Sequence, residues 1–498
     1  MEMLEGLKPE EVFYYFEKIC GIPHGSGNTK QISDYLADFA KKRNLEHYQD
    51  EVGNVIIIKD ASSGYEDHEP VILQGHMDMV AVKAPSASID MEKDGLKLIV
   101  DGDRLMAEGT SLGGDDGIAV AYGLALLAGE YCHPRIEAVF TVDEEVGMNG
   151  ARALDVSPIR AKRLINLDSE EEGVFLAGCA GGARVNISLS CEKVKREGIP
   201  CEVRISGLLG GHSGEEIGRE RGNAICLLGR VLDNLFRKLD FCIENMQGGV
   251  ADNAIPSSAK ADILIAGYAK GGDGPEKGQC GFSVEECTRI VNGVCEKINR
   301  ELKEELAGKD EDVKVEAVCG QIRDGAVAEG TLAKRMVSLL LGLPWGVQAM
   351  SAAMPGLVET SLNPGLLSME EDCLKIDISV RSSLESARKA LTGRLESLAY
   401  LAQAQIEVTG EYPGWAFKKE SPLREKMAEV YRKLYNREPV VEAIHAGLEC
   451  GLLAHKIPGL DCVSIGPDMK NIHTAKEELS ISSASQVWEY LLKLLKEL

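Results

Sequence analysis

The chain has 498 residues, 44% of them hydrophobic and 27% charged, with a net charge of -24 and an isoelectric point near 4.9. That length predicts at least two domains, each burying its own core, and the composition is that of an ordinary soluble globular protein. The acidic balance argues against a nucleic-acid or anionic-membrane partner, because phosphate binding relies on concentrated Lys and Arg.

Residues 1–20 are acidic and amphipathic, without a basic leader or a small-residue cleavage site, so no signal peptide is expected. No apolar run approaches bilayer length. The 14 cysteines are scattered with no C-x-x-C pair, which reads as reduced buried thiols rather than disulfides, and as a cytoplasmic protein.

Residues 9–45 are predicted helical, with Ile22-Pro23 interrupting. Strands at 54–59 and 71–74, a helix at 117–127 and strands at 136–142 and 163–167 follow. This alternation implies an α/β domain, a mostly parallel sheet sandwiched by helices. After Gly181-Gly182 the character shifts. Strand-like 185–189 and 202–206 precede a helix at 223–238, a turn-rich linker at 271–281 and a charged helix at 284–306. A strand at 374–380, a helix at 384–402 and a strand at 406–411 end at Tyr412-Pro413-Gly414. From Ser421 the chain returns to helix, a strand at 462–465 and a closing helix at 484–495. The pattern predicts one domain, 1–183 with 414–498, interrupted by an inserted α+β domain at 184–413.

Several apolar runs end in polar residues able to bind metal. Val71-Ile72-Leu73-Gln74-Gly75 discharges into His76-Met77-Asp78, an imidazole and a carboxylate paired as at metal sites. Gly113-Gly114-Asp115-Asp116-Gly117 opens an apolar helix, where Asp116 reads as little more than an N-cap. The strand before Val142 runs into Asp143-Glu144-Glu145-Val146-Gly147, and Leu164-Ile165-Asn166-Leu167 ends in Asp168. Val463-Ser464-Ile465-Gly466-Pro467 leads to Asn471-Ile472-His473-Thr474. Imidazole and carboxylate suit Zn²⁺, and more carboxylates than one ion needs suggest two metals. Two metals about 3.5–4 Å apart need a bridging ligand, and Asp115 is the natural one. Of the adjacent Glu144 and Glu145, one can bind metal while the other stays free as a general base.

These motifs resemble, in order, those of the co-catalytic zinc metallopeptidases, a family that includes aminoacylases, carnosinases and peptidase V. Within it the chain looks most like the bacterial aminoacyl-histidine (Xaa-His) dipeptidases. Ile22-Pro23-His24-Gly25-Ser26-Gly27-Asn28, Tyr412-Pro413-Gly414-Trp415 and His445-Ala446-Gly447-Leu448-Glu449-Cys450 support the likeness, which covers nearly the whole chain. The resemblance implies two Zn²⁺ per chain, with Mn²⁺ or Co²⁺ as substitutes. It implies His76 and Asp168 on one or other ion, Asp115 bridging, and Glu145 and His473 completing the pair. Asp78 would orient the His76 ring, Glu144 would activate the water, and the peptide bond after Asp115 is often cis in the family. In the insert, a lid and dimerisation domain, Gly210-Gly211-His212-Ser213 resembles the segment whose His steadies the carbonyl oxygen. Asn253 and Arg381 resemble substrate-holding residues, with Arg381 on the C-terminal carboxylate, and His445 joins the substrate contacts. Family members are commonly homodimers, and whether His212 serves its own or a partner's site is open.

The implied reaction is hydrolysis of dipeptides, chiefly Xaa-His (carnosine-like), with broad tolerance of the N-terminal residue. Two rivals stand beside it. One is a serine hydrolase using Ser111, since Gly109-Thr110-Ser111-Leu112-Gly113 satisfies G-x-S-x-G. The other is a catalytically inactive zinc-binding relative.

Overall fold

Three apolar runs, Val71–His76, Ile136–Thr141 and Arg163–Asn166, lie side by side as parallel strands, the first two buried along their whole length. Their register brings His76 level with Thr141 and Gln74 level with Asn166, so all three chains leave the sheet at the same edge. Asp461–Ser464 adds a fourth parallel strand against Arg163–Asn166. The computed structural model describes residues 3–265, 283–370 and 372–498. The packing divides the chain into two units, Met1–Cys179 with Trp415–Leu498, and Ala180–Gly414.

In the first unit these four strands form the middle of an eight-stranded sheet. Glu46–Gln49 and Val55–Lys59 extend one side antiparallel, while Val174–Cys179 and Val440–Ile444 complete the other. The mostly parallel α/β sheet is as the alternation predicts. A separate four-stranded sheet joins Met469–Lys470, Glu478–Ser480, Arg104–Ala107 and Leu98–Asp101.

Helix Gly114–Ala128 is apolar all round, and Gly114 through Leu127 are all buried. A helix without a polar face belongs inside a core, and each fully buried Leu or Ile contributes about 1.5–3 kcal/mol. This helix crosses the strand Val71–His76 at Gly75, where a Cβ would lie 2.5 Å from both Ala119 Cβ and Asp116 Oδ2. Glycine at this strand position therefore sets how closely helix and sheet approach.

The second unit is built on an antiparallel sheet whose main path runs Lys314–Cys319, Val194–Ser206, Ala259–Ile265, Phe241–Gly248, Val358–Glu370, Cys373–Ser382, Gly181–Ser190 and Gln405–Tyr412. Helices Ala224–Phe236, Val284–Glu305, Gly330–Gly342 and Glu385–Ala402 supply the apolar faces of its core. The linker expected at 271–281 lies outside the described residues. Cys201 and Cys319 face each other in register on neighbouring strands and are joined by a disulfide. This corrects the expectation of thiols throughout, because a pairing across 118 residues has no local signature. The other described cysteines are mostly buried.

Replacing Gly75 with Ala should push the helix off the sheet and disturb Asp116. The expected loss is about 1–3 kcal/mol, the usual cost of overpacking a core, read from urea unfolding. A loss below about 0.5 kcal/mol would contradict the close approach.

Candidate metal centre

The shared edge of the four parallel strands collects most of the polar residues singled out above. His76 is the last residue of its strand, Asp168 follows Arg163–Asn166 by two residues, and Glu144 and Glu145 lie just beyond Ile136–Thr141. Asp115 sits at the kinked start of helix Gly114–Ala128. His473 stands in the loop between the short strands Met469–Lys470 and Glu478–Ser480.

The side chains converge on Asp115. Its Oδ1 lies 3.2 Å from His76 Nε2, and its Oδ2 lies 3.1 Å from His473 Nε2. His76 Nε2 is also 3.5 Å from Asp168 Oδ1, and His473 Nε2 is 2.8 Å from Glu145 Oε1. Three groups have ligand atoms within 4.8 Å of one another: His76, Asp115 and Asp168; Asp115, Glu145 and His473; and His76, Glu144 and Glu145. Asp115 belongs to two of them, one oxygen toward each imidazole.

The electrostatics show a surplus of negative charge. Burial pushes Glu144 well above the ordinary carboxylate range and Asp168 up to about 6, with neighbouring carboxylates adding to both shifts. Burial also disfavours charge on His76, but Asp168, Asp115 and Asp78 outweigh it and hold the ring's pKa well above its usual value. Hydrogen bonds to Asp115 and Glu145 raise His473 to about 10. Burial would raise Asp115, yet its bonds to both imidazoles keep it below the ordinary range. The cluster favours positive charge wherever it can be had, which is what buried, uncompensated carboxylates require. An all-oxygen and imidazole donor set with this surplus fits divalent cations such as Zn²⁺, Mn²⁺ or Co²⁺.

The supporting contacts refine the expected roles. Asp78 Oδ2 accepts from Ser26 Oγ at 2.8 Å and from the Glu145 N–H at 3.4 Å, and Oδ1 accepts from the Glu144 N–H at 3.0 Å. His76 Nδ1 lies 3.0 Å from the Asp78 carbonyl oxygen and 3.5 Å from its Oδ1. The nearest partner of the ring is therefore the backbone of Asp78, while its carboxylate faces the ring at longer range and also clamps the Glu144-Glu145 turn. The Asp116 Oδ1 has no hydrogen-bond partner, so it caps no helix N–H. Asp116 is fully buried and its Oδ2 accepts the His76 N–H at 3.2 Å, which corrects its reading as a helix cap. The Asp115-Asp116 peptide bond is cis.

Two further glutamates were given no role by the sequence, although Glu449 lies in the 445–450 stretch that supports the likeness. Glu477 is buried and accepts hydrogen bonds from the backbone N–H groups of residues 112 to 115. Glu449, fully buried at the start of helix Glu449–Lys456, accepts from Gln74 Nε2 at 2.5 Å and Thr141 Oγ1 at 2.6 Å. Asn166 Nδ2 donates to Gln74 Oε1 at 2.7 Å, so the chain of bonds runs under three neighbouring strands. Either contact needs the tertiary fold to be visible.

The remaining candidates divide. His445 is buried just after Val440–Ile444 and belongs to none of the three converging groups. In the second unit, His212 pairs with Ala254 across a two-stranded ladder, and the Ser213 N–H donates to the Asn253 carbonyl at 2.8 Å. The Glu215 N–H donates to His212 Nδ1 at 3.3 Å. Burial lowers the pKa of His212, and the Arg381 guanidinium lowers it further. Arg381 Nη1 lies 3.4 Å from Tyr412 Oη, and its buried Nε has no hydrogen-bond partner. Among the described residues no carboxylate lies within ion-pair distance of Arg381. Ser111 does not fit a nucleophile: it is fully buried, and its hydroxyl donates to the Val80 carbonyl at 2.6 Å.

Comparison with known proteins gives concordant matches. The description of peptidase family M20/M25/M40 matches residues 72–497. The cytosol non-specific dipeptidase of Escherichia coli (strain K12) is 37% identical over 504 residues, covering 100% of this chain and 99% of that protein. The crystal structure of aminoacylhistidine dipeptidase from Vibrio alginolyticus superposes with a TM-score of 0.88 at 33% identity, covering 99% of this chain and 98% of that one. The aminopeptidase PepT of Bacillus cereus ATCC 10987, 16% identical with a TM-score of 0.55 and 99% of each chain covered, shares the fold.

Glu449 gives this region a pH signature. Burial pushes its folded pKa up to about 7 from an ordinary 4.5. Between those values the folded state holds the extra proton, so stability falls as pH rises, by roughly 3 kcal/mol in full. Glu449→Gln removes this titration. In chelator-treated protein the variant should gain stability relative to wild type between pH 5 and pH 8. A stability difference that stays constant across that range would contradict the assignment.

Proposed function

The chain belongs to peptidase family M20/M25/M40, and we propose that it is a two-metal dipeptidase in which Asp115 bridges the ions and Glu144 is the general base. The observation that carries this reading is the division of Asp115, with Oδ1 facing His76 and Oδ2 facing His473. Asp168 would complete the set around His76, and Glu145 the set around His473. Bound there, two divalent cations would acidify a shared water and polarise the scissile carbonyl.

The chain's own residues would do the rest. Glu144 belongs to a converging group with His76 and Glu145, and its carboxylate already favours a proton. It would take the proton of the attacking water and hand it to the departing amine, a service worth roughly 10²–10⁴-fold. Asp78 would hold the Glu144-Glu145 turn and the His76 ring in place. With Nδ1 accepting from the Glu215 N–H, neutral His212 keeps its proton on Nε2. That N–H would steady the carbonyl oxygen, with Asn253 as a further substrate contact. Arg381, a half-buried cation without an ion-pair partner among the described residues, would receive the free carboxylate of the dipeptide in bidentate fashion.

The substrate class follows the relatives' names, one a non-specific dipeptidase and one an aminoacylhistidine dipeptidase. The expected preference is dipeptides with a broadly tolerated N-terminal residue, Xaa-His among them. A panel of β-Ala-His and plain dipeptides, assayed with Zn²⁺, Mn²⁺ and Co²⁺, tests it. Absence of turnover across that panel in fully metal-loaded protein would favour a binding role instead.

Glu144→Gln should lower kcat by about 10²–10⁴-fold while metal content stays at the wild-type level. Wild-type turnover in that variant would remove Glu144 from its role. Arg381→Ala should raise KM for a dipeptide about 10–100-fold, as for loss of a charged hydrogen-bond pair, with little change in kcat. On the corresponding dipeptide amide, variant and wild type should be alike. An equal loss on both substrates would show that Arg381 does not read the carboxylate.

A further inference from the structure

Glu477 spends both carboxylate oxygens on one stretch of backbone. Oε2 accepts from the N–H groups of Leu112 at 2.8 Å and Gly113 at 3.2 Å, while Oε1 accepts from Gly114 at 2.8 Å and Asp115 at 3.4 Å. These donors converge where helix Gly114–Ala128 begins, a place with no intrahelical partners for its N–H groups and a favourable field for an anion. The loop turns through Gly113 at φ 68°, and a Cβ on Gly114 would lie 3.3 Å from Glu477 Oε1. The glycines thus admit the carboxylate to the backbone.

Glu477 is also tied to His473. Both lie in the segment from Met469–Lys470 to Glu478–Ser480, and the latter strand pairs with Arg104–Ala107. His473 is half exposed and has a positive φ of 59°, so its own loop gives it little burial. The contacts close a ring: His473 meets the Asp115 side chain, the Asp115 N–H meets Glu477, and the backbone returns from Glu477 to His473.

We propose that Glu477 is a positioning residue that locks the Asp115 loop to the His473 loop, so that the cation site of Asp115, Glu145 and His473 keeps its affinity only while Glu477 is a carboxylate. This rests on the two-metal reading above. In Glu477→Gln the side chain keeps its shape, but its NH₂ group must face two backbone N–H groups, so one half of the clamp becomes repulsive.

The test is Co²⁺ titration of chelator-stripped full-length protein, followed by visible absorption and calorimetry, with kinetics in saturating metal. Wild type should take up two ions. Glu477→Gln should bind one of them at least tenfold more weakly and the other normally, the same selective loss as His473→Ala. Excess metal should restore its kcat with KM unchanged. Two wild-type affinities in Glu477→Gln would overturn the proposal. Weakening of both sites in step with a fall in metal-free stability would also overturn it, since that indicates packing alone. Fewer than two ions in wild type would overturn the metal reading itself, and this inference with it. Hydrogen exchange of the wild-type amides at 112 to 115 needs no variant: they should exchange slowly without metal, and exchange at the rate of exposed loops would overturn the clamp.

Discussion

The first unit is organised around a concentration of negative charge that its own side chains do not neutralise. Asp78, Asp115, Asp116, Asp168, Glu144, Glu145 and Glu449 lie buried or half-buried, with His76 and His473 as the basic members of the converging groups. Stripping carboxylates of water is costly unless charge or hydrogen bonds replace it. The molecule supplies hydrogen bonds to some of these acids and leaves the rest facing imidazole. The parallel strands make this affordable, because four chains leave the sheet at one edge and each delivers its polar residue to the same place.

Two kinds of acid therefore coexist, distinguished by what they touch. Asp78 and Glu477 accept from backbone N–H groups and so fix loops. Asp115, Asp168 and Glu145 face imidazole nitrogens. The loops that present the second kind are held by the first. Asp78 grips the Glu144-Glu145 turn that follows one strand, and Glu477 grips the start of the helix that carries Asp115. Accurate placement of groups that would otherwise repel one another depends on this internal bracing.

The α/β class, the apolar helix and the closing helix were legible because each has a local period or an unbroken apolar run. The glycine-flanked Asp115 and the acids just beyond apolar strands stand out for the same reason, and the structure brings them together. Asp116 was misread because a carboxylate at a helix start has a bland local reading, while its actual partner, the His76 N–H, is 40 residues away. Glu477 is one glutamate in an acidic chain, Glu449 has no assigned role within its 445–450 stretch, and their donors lie more than 300 residues distant. The second unit was harder to read. Only the end of Val194–Ser206 reads as strand by pattern. Its first half, VKREG, is strand because Arg323–Val327 pairs with it, and tertiary pairing overrides a charged sequence. The Cys201–Cys319 bond was invisible for the same reason, since cross-strand register is not written in either segment.

The order of strands in the first sheet has a consequence for synthesis. Asp461–Ser464 lies between Arg163–Asn166 and Val174–Cys179, strands made long before it. About 280 residues separate Cys179 from Asp461, which at bacterial or eukaryotic elongation rates takes roughly 15–60 s. During that interval the sheet has a vacant slot, its neighbours present unpaired edges, and the loop bearing His473 does not yet exist. Such edges invite pairing with other chains. A nascent chain of this protein thus cannot complete the middle of its first sheet until Asp461–Ser464 has been made.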